Sequence, residues 1–276
     1  MKYLRADLHM HTSFSDGKFS PQQLIDLSKK CGLDIISITD HDNVNAVSQA
    51  ILYGNEIGIQ VIPGVEISAD INEQEVHILG YFIDHRNKKF LEFLSSLREK
   101  RLQRNARIVE KLNDLGSKIK FDSIIGKLGM DTSMGRPHIA MELNEEGFVN
   151  SYYEAFIKYI GDGKPAYVKK PNPPANEVIK LISELGGLSF IAHPGKIIRD
   201  VFLTELIAHG VDGIETVHPS HSKDDINFFT SSAAENFLLT SGGSDFHGGV
   251  KNDQKNFGNY YVSNNEIVNM KRRLFI

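Results

Sequence analysis

Short apolar segments of this chain end, one after another, on imidazoles and carboxylates. Leu4 to Leu8 runs into Asp7-Leu8-His9-Met10-His11, and Asp34 to Thr39 runs into Asp40-His41-Asp42. Gln60 to Ile67 carries Glu66 near its end, and Glu75 to Phe82 encloses His77 between Val76 and Ile78. Leu188 to Ala192 precedes His193, and Gly213 to Val217, Phe237 to Thr240 and Asn259 to Val262 complete the series. Apolar runs of this length, rich in Ile and Val, fit buried parallel strands.

Helical patterns separate many of these strands. Ser20-Pro21-Gln22-Gln23 offers an N-cap serine, proline at the first helical position and glutamine at N3. That helix runs through Leu24, Ile25 and Leu27 and stops near Gly32. Pro174 to Leu185 repeats the theme, with Gly186-Gly187 as its stop. The alternation predicts an α/β fold with a parallel sheet, closed or nearly closed. In a parallel barrel the C-terminal strand ends share one face, so residues distant in sequence converge there. The middle differs: one helical pattern runs from Lys88 to Leu115, and nothing resembles a strand through Tyr159. Residues 99–165 read as a helical insertion in an α/β barrel formed by 1–98 and 166–276.

Composition excludes several classes. At 276 residues, 41% hydrophobic and 24% charged, the chain suits one large soluble domain carrying an insertion. Cys31 is its only cysteine, which rules out a disulfide framework; its place on a helix beside Gly32 reads as buried structure. No run of about 18 apolar residues spans a bilayer. Asp7 and His9 interrupt the N-terminus before a signal peptide's core could form, so a cytoplasmic protein with no membrane partner is expected. The net charge of −4 gives no whole-protein basic field for long duplex nucleic acid.

Among the 11 histidines, His9, His11, His41, His77, His193 and His247 accompany strand ends, together with Asp16, Glu66 and Asp245. A lone histidine there is ordinarily a hydrogen-bonded structural residue; so many beside acids point to a metal site. His9 and His11 project to the same side of an extended chain, and Asp245 and His247 have the same spacing. Imidazole with carboxylate suits Mn²⁺, Fe²⁺ or Zn²⁺, and the lack of thiolates argues against structural zinc. His85 and His209 carry no assigned function. Arg98, Lys100, Arg101, Arg104 and Arg107 crowd one helix near Glu92, Glu99 and Glu110. By default that is a solvated basic face; the functional alternative is a track for additional phosphates.

Asp7-Leu8-His9-Met10-His11-Thr12, Ser15-Asp16-Gly17, Ile38-Thr39-Asp40-His41-Asp42, Gly64-Val65-Glu66, Ala192-His193-Pro194 and Gly243-Ser244-Asp245-Phe246-His247 together resemble the PHP (polymerase and histidinol phosphatase) metal-dependent phosphoesterases. The resemblance covers essentially the whole chain and favours the stand-alone bacterial branch that acts on nucleotides. It implies a distorted (β/α)7 barrel with three divalent ions, Mn²⁺ first, with Fe²⁺ or Zn²⁺ also suited. One ion would take His9, His11, Glu66 and Asp245; a second Glu66, His77 and His193; a third Asp16, His41 and His247. Asp7 and Asp40 would orient imidazoles, as metal-bound histidine generally requires, or else hydrogen-bond loop backbone. Arg136 and His138, in Gly135-Arg136-Pro137-His138, would contact substrate phosphate, as would His218 in Val217-His218-Pro219. The family has tyrosine where this chain has Val217, and His221 has no clear counterpart role.

Three divalent cations outweigh three carboxylates and a hydroxide, leaving positive charge that matches a phosphomonoester dianion. The expected reaction is hydrolysis of nucleotide phosphomonoesters, such as a nucleoside 3′,5′-bisphosphate or monophosphate, by a metal-bridging hydroxide. Trimming of short oligoribonucleotides from the 5′ end is the alternative on the same chemistry. Histidinol-phosphate hydrolysis and a non-catalytic metal-binding module follow behind it.

Overall fold

In the computed structural model, which describes residues 4–276, β1 (Arg5–Met10), β2 (Ile35–Ile38) and β3 (Gln60–Ile71) pair in parallel. Met1 to Tyr3, where the barrel segment and the N-terminal reading begin, lie outside the described residues. Helices α1 (Pro21–Lys30) and α2 (Val47–Ile57) make the crossovers. α1 starts on the expected capping box, with the Ser20 hydroxyl accepting from the Gln23 N–H and Gln23 Oε1 accepting from the Ser20 N–H. Leu24 and Ile25 of α1 pack on Ile36 and Ile38. Cys31 is exposed rather than buried. It caps α1 where the chain turns away through Gly32, off the face that Leu24 and Ile25 present to the sheet.

The sheet is not wholly parallel, because β4 (Gln74–Tyr81) reverses. Only Asn72 and Glu73 join it to β3, and both have positive φ (47° and 68°). A two-residue link of that kind closes a hairpin and is too short for a parallel crossover. β5 (Leu188–Ile191) then runs antiparallel to β4, and β6 (Gly213–Val217) and β7 (Leu239–Gly242) continue in parallel. The strand order is β7-β6-β5-β4-β3-β2-β1-β8, with the short β8 (Val262–Ser263) antiparallel to β1. The ring closes just past β7: the Asp245 N–H donates to the His9 carbonyl at 2.9 Å and the His11 N–H to Phe246 at 3.0 Å. At Gly243 a Cβ would stand 2.4 Å from the His9 backbone nitrogen, so only glycine lets the chain cross β1 there. The product is a nearly closed, distorted α/β barrel.

Reversal of β4 explains how His77, near that strand's start, reaches the same rim as residues at other strands' ends. Glu66, expected near a strand end, lies within β3, which continues to Ile71. Inside, Leu8, Leu79, Tyr81 and Phe190 pack together, and the Tyr81 hydroxyl donates to the Leu8 carbonyl. α7 (Ala175–Glu184), α8 (Leu203–Ala208) and α9 (Lys223–Glu235) cover another face through Val178, Ile182, Leu206 and Phe229. α10 (Asn264–Leu274) follows β8.

α3 (Lys88–Asp114) serves two cores. Phe90, Leu94 and Leu97 belong to the barrel. Ile108, Val109 and Leu112 belong to a separate cluster with Met134, Ile139, Leu143 and Ile160. α4 (Phe121–Lys127), α5 (Arg136–Glu145), α6 (Tyr152–Ala155) and a π-helical turn at Phe156–Ile160 complete that helical layer. The chain returns as an extended strap, held by Arg104 Nε donating to the Val168 carbonyl (2.8 Å) and the Asp70 N–H donating to Pro173 (2.8 Å).

Candidate metal and phosphate site

Glu66 stands at the centre of the rim. Its Oε2 lies 2.9 Å from His41 Nδ1 and 3.3 Å from both His9 Nε2 and His11 Nε2. Its Oε1 lies 2.7 Å from His77 Nδ1 and 3.0 Å from His193 Nε2. Asp245 Oδ1 lies 3.1 Å from His11 Nε2 and 3.3 Å from His9 Nε2. Asp16 Oδ1 approaches His247 Nε2 (3.3 Å), His41 Nε2 (3.8 Å) and His11 Nδ1 (3.9 Å). All nine residues expected at the metal site therefore meet in one place. Backbone strain accompanies them: Asp42, His193 and Asp245 all have positive φ without being glycine. Asp245 thus presents its carboxylate from a left-handed backbone position (φ 49°) rather than from the extended geometry its spacing with His247 suggested.

The donor set fits divalent cations. Three groups can each converge on one point: His9, His11, Glu66 and Asp245; His11, Asp16, His41 and His247; and His41, Glu66 and His77. His9 Nε2, His41 Nδ1, Asp16 Oδ1 and Glu66 Oε2 are buried and make no hydrogen bond. Buried polar atoms ordinarily find a partner, so lone pairs aimed at one another across about three ångströms mark a cation site. Burial pushes the His41 imidazole down to about 3, which leaves one of its ring nitrogens unprotonated and able to ligate. Burial alone would raise Glu66, but the imidazoles of His41, His77 and His9 outweigh it and hold the carboxyl well below its usual range. His11 and His77 go the other way, up to about 9, because the surrounding carboxylates overcome their burial.

Orientation of the imidazoles comes from elsewhere than Asp7 and Asp40. Asp7 Oδ1 accepts the backbone N–H groups of Ser244 (3.0 Å) and His9 (3.2 Å). Asp40 accepts the Thr12 N–H (2.7 Å) and the Thr12 and Ser15 hydroxyls. Both acids therefore fasten loops, the alternative the sequence left open. His9 is instead oriented by Glu215, whose Oε1 accepts from His9 Nδ1 at 2.9 Å while Oε2 accepts the His193 N–H at 2.6 Å. His77 Nε2 similarly faces Glu75 Oε1 at 3.3 Å. The signal for Glu215 was available: it is a lone charge inside the apolar run Gly213 to Val217. Lys251, 2.7 Å from His247 Nε2 and 3.5 Å from Asp16 Oδ2, has no local signature.

A pocket lined by Asp16, His41 and His77 is also lined by Arg101, Arg104, Arg136, Lys170 and Lys251, with Tyr152 and Phe156. The default view of the α3 basic residues as a solvated face fails for Arg101 and Arg104, and in part for Arg98, whose Nη1 donates to the Asp42 carbonyl at 3.1 Å. Arg101 and Arg104 are 7% and 6% exposed, while Lys100 and Arg107 stay in solvent. Arg101 Nε donates to Asp42 Oδ2 at 2.5 Å and its Nη2 to the Ser68 hydroxyl at 3.1 Å. Arg136 lines the pocket, steadied by Asp162 Oδ1 at 2.6 Å. His138 does not fit its expected role: Nδ1 accepts the Gly135 N–H and Nε2 donates to the Ser15 carbonyl. With both ring nitrogens used, it fastens the Asp16 loop to α5. His218 Nε2 lies 3.5 Å from Asp245 Oδ2, and His221 donates to the Thr216 carbonyl behind it.

An α/β barrel whose rim gathers convergent imidazoles and carboxylates beneath a cationic pocket defines a metal-dependent hydrolase. The PHP domain model matches residues 7–187. A 5′-3′ exoribonuclease of Haemophilus influenzae is 33% identical over 247 residues, spanning 87% of this chain and 89% of the relative. A 3′,5′-nucleoside bisphosphate phosphatase of Chromobacterium violaceum is 33% identical over 246 residues, spanning 87% and 86%. A crystal structure from Bifidobacterium adolescentis, described as a metal-dependent phosphoesterase, superposes with a TM-score of 0.90 at 32% identity, covering 97% of this chain and 96% of its own. The chain belongs to the PHP domain family.

Proposed function

We propose that the protein hydrolyses phosphomonoesters of nucleotides, with a nucleoside 3′,5′-bisphosphate or monophosphate as substrate. The observation that carries this reading is Glu66, ringed by five imidazoles, two of which (His41 and His77) line a pocket together with arginine and lysine side chains. His9, His11, Glu66 and Asp245 would hold one divalent ion; Glu66, His77 and His193 a second; Asp16, His41 and His247 a third, with Mn²⁺ the first candidate and Fe²⁺ or Zn²⁺ also suited. Bound there, the ions would supply Lewis acidity and lower the pKa of water. Arg136 positions the substrate phosphate, since a planar guanidinium matches its oxygens, and His218 contributes from the Asp245 side.

Residues 99–165 act as a cap on a barrel formed by 1–98 and 166–276, because Arg101, Arg104 and Arg136 reach the pocket from that segment. No helix among the described residues is long and apolar enough to cross a membrane, and the reading is of a cytoplasmic enzyme. A second reading, trimming of short oligoribonucleotides from the 5′ end, draws support from the Haemophilus relative and from Arg101 and Arg104 lining the pocket beside Arg136. The test, with Mn²⁺ present, is phosphate release from nucleoside mono- and bisphosphates and histidinol phosphate, beside mononucleotide release from a 5′-phosphorylated dinucleotide. Nucleotide turnover well above that of histidinol phosphate is expected; release from none of them refutes the proposal.

A further inference from the structure

Lys170 is a buried ammonium with little to hold it. It sits in the strap that returns from the helical layer to the barrel, 5% exposed, and it lines the same pocket as His41 and His77. Its nearest carboxylate oxygen, Asp42 Oδ2, is 3.9 Å away and already takes the Arg101 hydrogen bond. A charged group desolvated this far normally has a close partner. Burial, then the positive charge of Arg101, lowers its pKa to about 8 against the pull of Asp42 and Glu75, with Arg104 adding to the repulsion. The other cations of the pocket cannot play the same part. Arg101, Arg104 and Arg136 do not release a proton near neutral pH, and Lys251 is held by His247 and Asp16.

Resting on the phosphoesterase reading above, we propose that Lys170 is a catalytic residue: it protonates the departing ribose oxygen of the nucleotide. A water oxygen forms the new bond to phosphorus as the ester P–O bond breaks, and the electron pair of that bond stays on the ribose oxygen. The Lys170 Nζ proton moves to that oxygen, giving the free hydroxyl. The proton shed by the attacking water passes to solvent, and the amine is reprotonated from solvent. A ribose alkoxide is a poor leaving group and needs that proton; p-nitrophenolate is already a stable anion and does not.

The test compares wild type, Lys170→Met and Lys170→Arg, each loaded with Mn²⁺, on a nucleoside monophosphate and on p-nitrophenyl phosphate. General acid catalysis of this kind is worth about 10²-fold or more. Both variants should lose about 10²-fold in kcat on the nucleotide and far less in kcat on p-nitrophenyl phosphate, with metal content and far-ultraviolet circular dichroism as in wild type. Arginine keeps the charge but does not give up its proton, so full nucleotide turnover by Lys170→Arg overturns the proposal. Equal losses on both substrates, or loss of metal, also overturn it, because they assign Lys170 to phosphate binding or to structure. Wild type releasing phosphate from neither substrate removes the phosphoesterase reading itself.

Discussion

Glu215→Gln tests whether the imidazoles are built to ligate metal. Glu215 is fully buried, accepting from His9 Nδ1 at 2.9 Å with one oxygen and from the His193 N–H at 2.6 Å with the other. An amide cannot do both. If its oxygen keeps the His193 N–H, its NH₂ faces His9 Nδ1 and forces the proton onto Nε2, the nitrogen aimed at Glu66 and Asp245. If the amide is turned over, its NH₂ meets the His193 N–H, donor against donor. Either way the substitution spoils a candidate ligand while barely changing shape. Losing the group that orients a metal-bound histidine typically costs 10–100-fold in metal affinity, or about 1.4–2.7 kcal/mol. The assay is titration of metal-free protein with Mn²⁺ against a competing chelator, with bound metal measured by elemental analysis. An affinity equal to wild type refutes the argument that Glu215 fixes the His9 tautomer for ligation.

Other expectations follow the same geometry. His41→Ala or Asp245→Ala should abolish phosphate release with far-ultraviolet circular dichroism unchanged; retained turnover contradicts the site. Arg136→Ala should raise KM about 10-fold, the scale of a charged hydrogen bond, with metal content preserved; measured metal loss would show it belongs with the ligands. His138→Ala should cost about 1–3 kcal/mol in chemical denaturation by stranding the Gly135 N–H and Ser15 carbonyl; an intact stability with impaired substrate binding would restore a phosphate-contact role. Asp42 is buried, and although burial alone would raise its pKa, Arg101 and Lys170 hold it below the ordinary carboxylate value. The ion pair therefore contributes stability above about pH 4 that is lost as pH falls through the lower folded-state value. Asp42→Asn should melt lower at pH 7 and lose that part of the acid dependence; parallel melting curves from pH 3 to 7 would refute it.

Some of this was legible because it is local. The capping box at Ser20 and the same-side projection of His9 and His11 each depend on residues within one turn or one pleat, whose spacing fixes their geometry. The Asn72-Glu73 link that reverses β4 is equally local, yet a helix-linked parallel pattern overrode it. The role of His138 was misread because the sequence shows a histidine's identity and not the loop its ring nitrogens meet.

The chain's own order of residues determined the alternation of strands and helices, the polar residues that cap the strands and the chemistry those residues can support. Tertiary structure alone decided that Glu215 would orient His9 across 206 positions, that Arg101 and Arg104 would turn inward, and that Lys170 would line the pocket with Asp42 at 3.9 Å as its carboxylate partner. The reason is range. Periodicity constrains neighbours along a strand or helix, whereas burial and pairing across the barrel rim depend on how distant segments pack, and packing sets the distances on which charge and proton affinity depend.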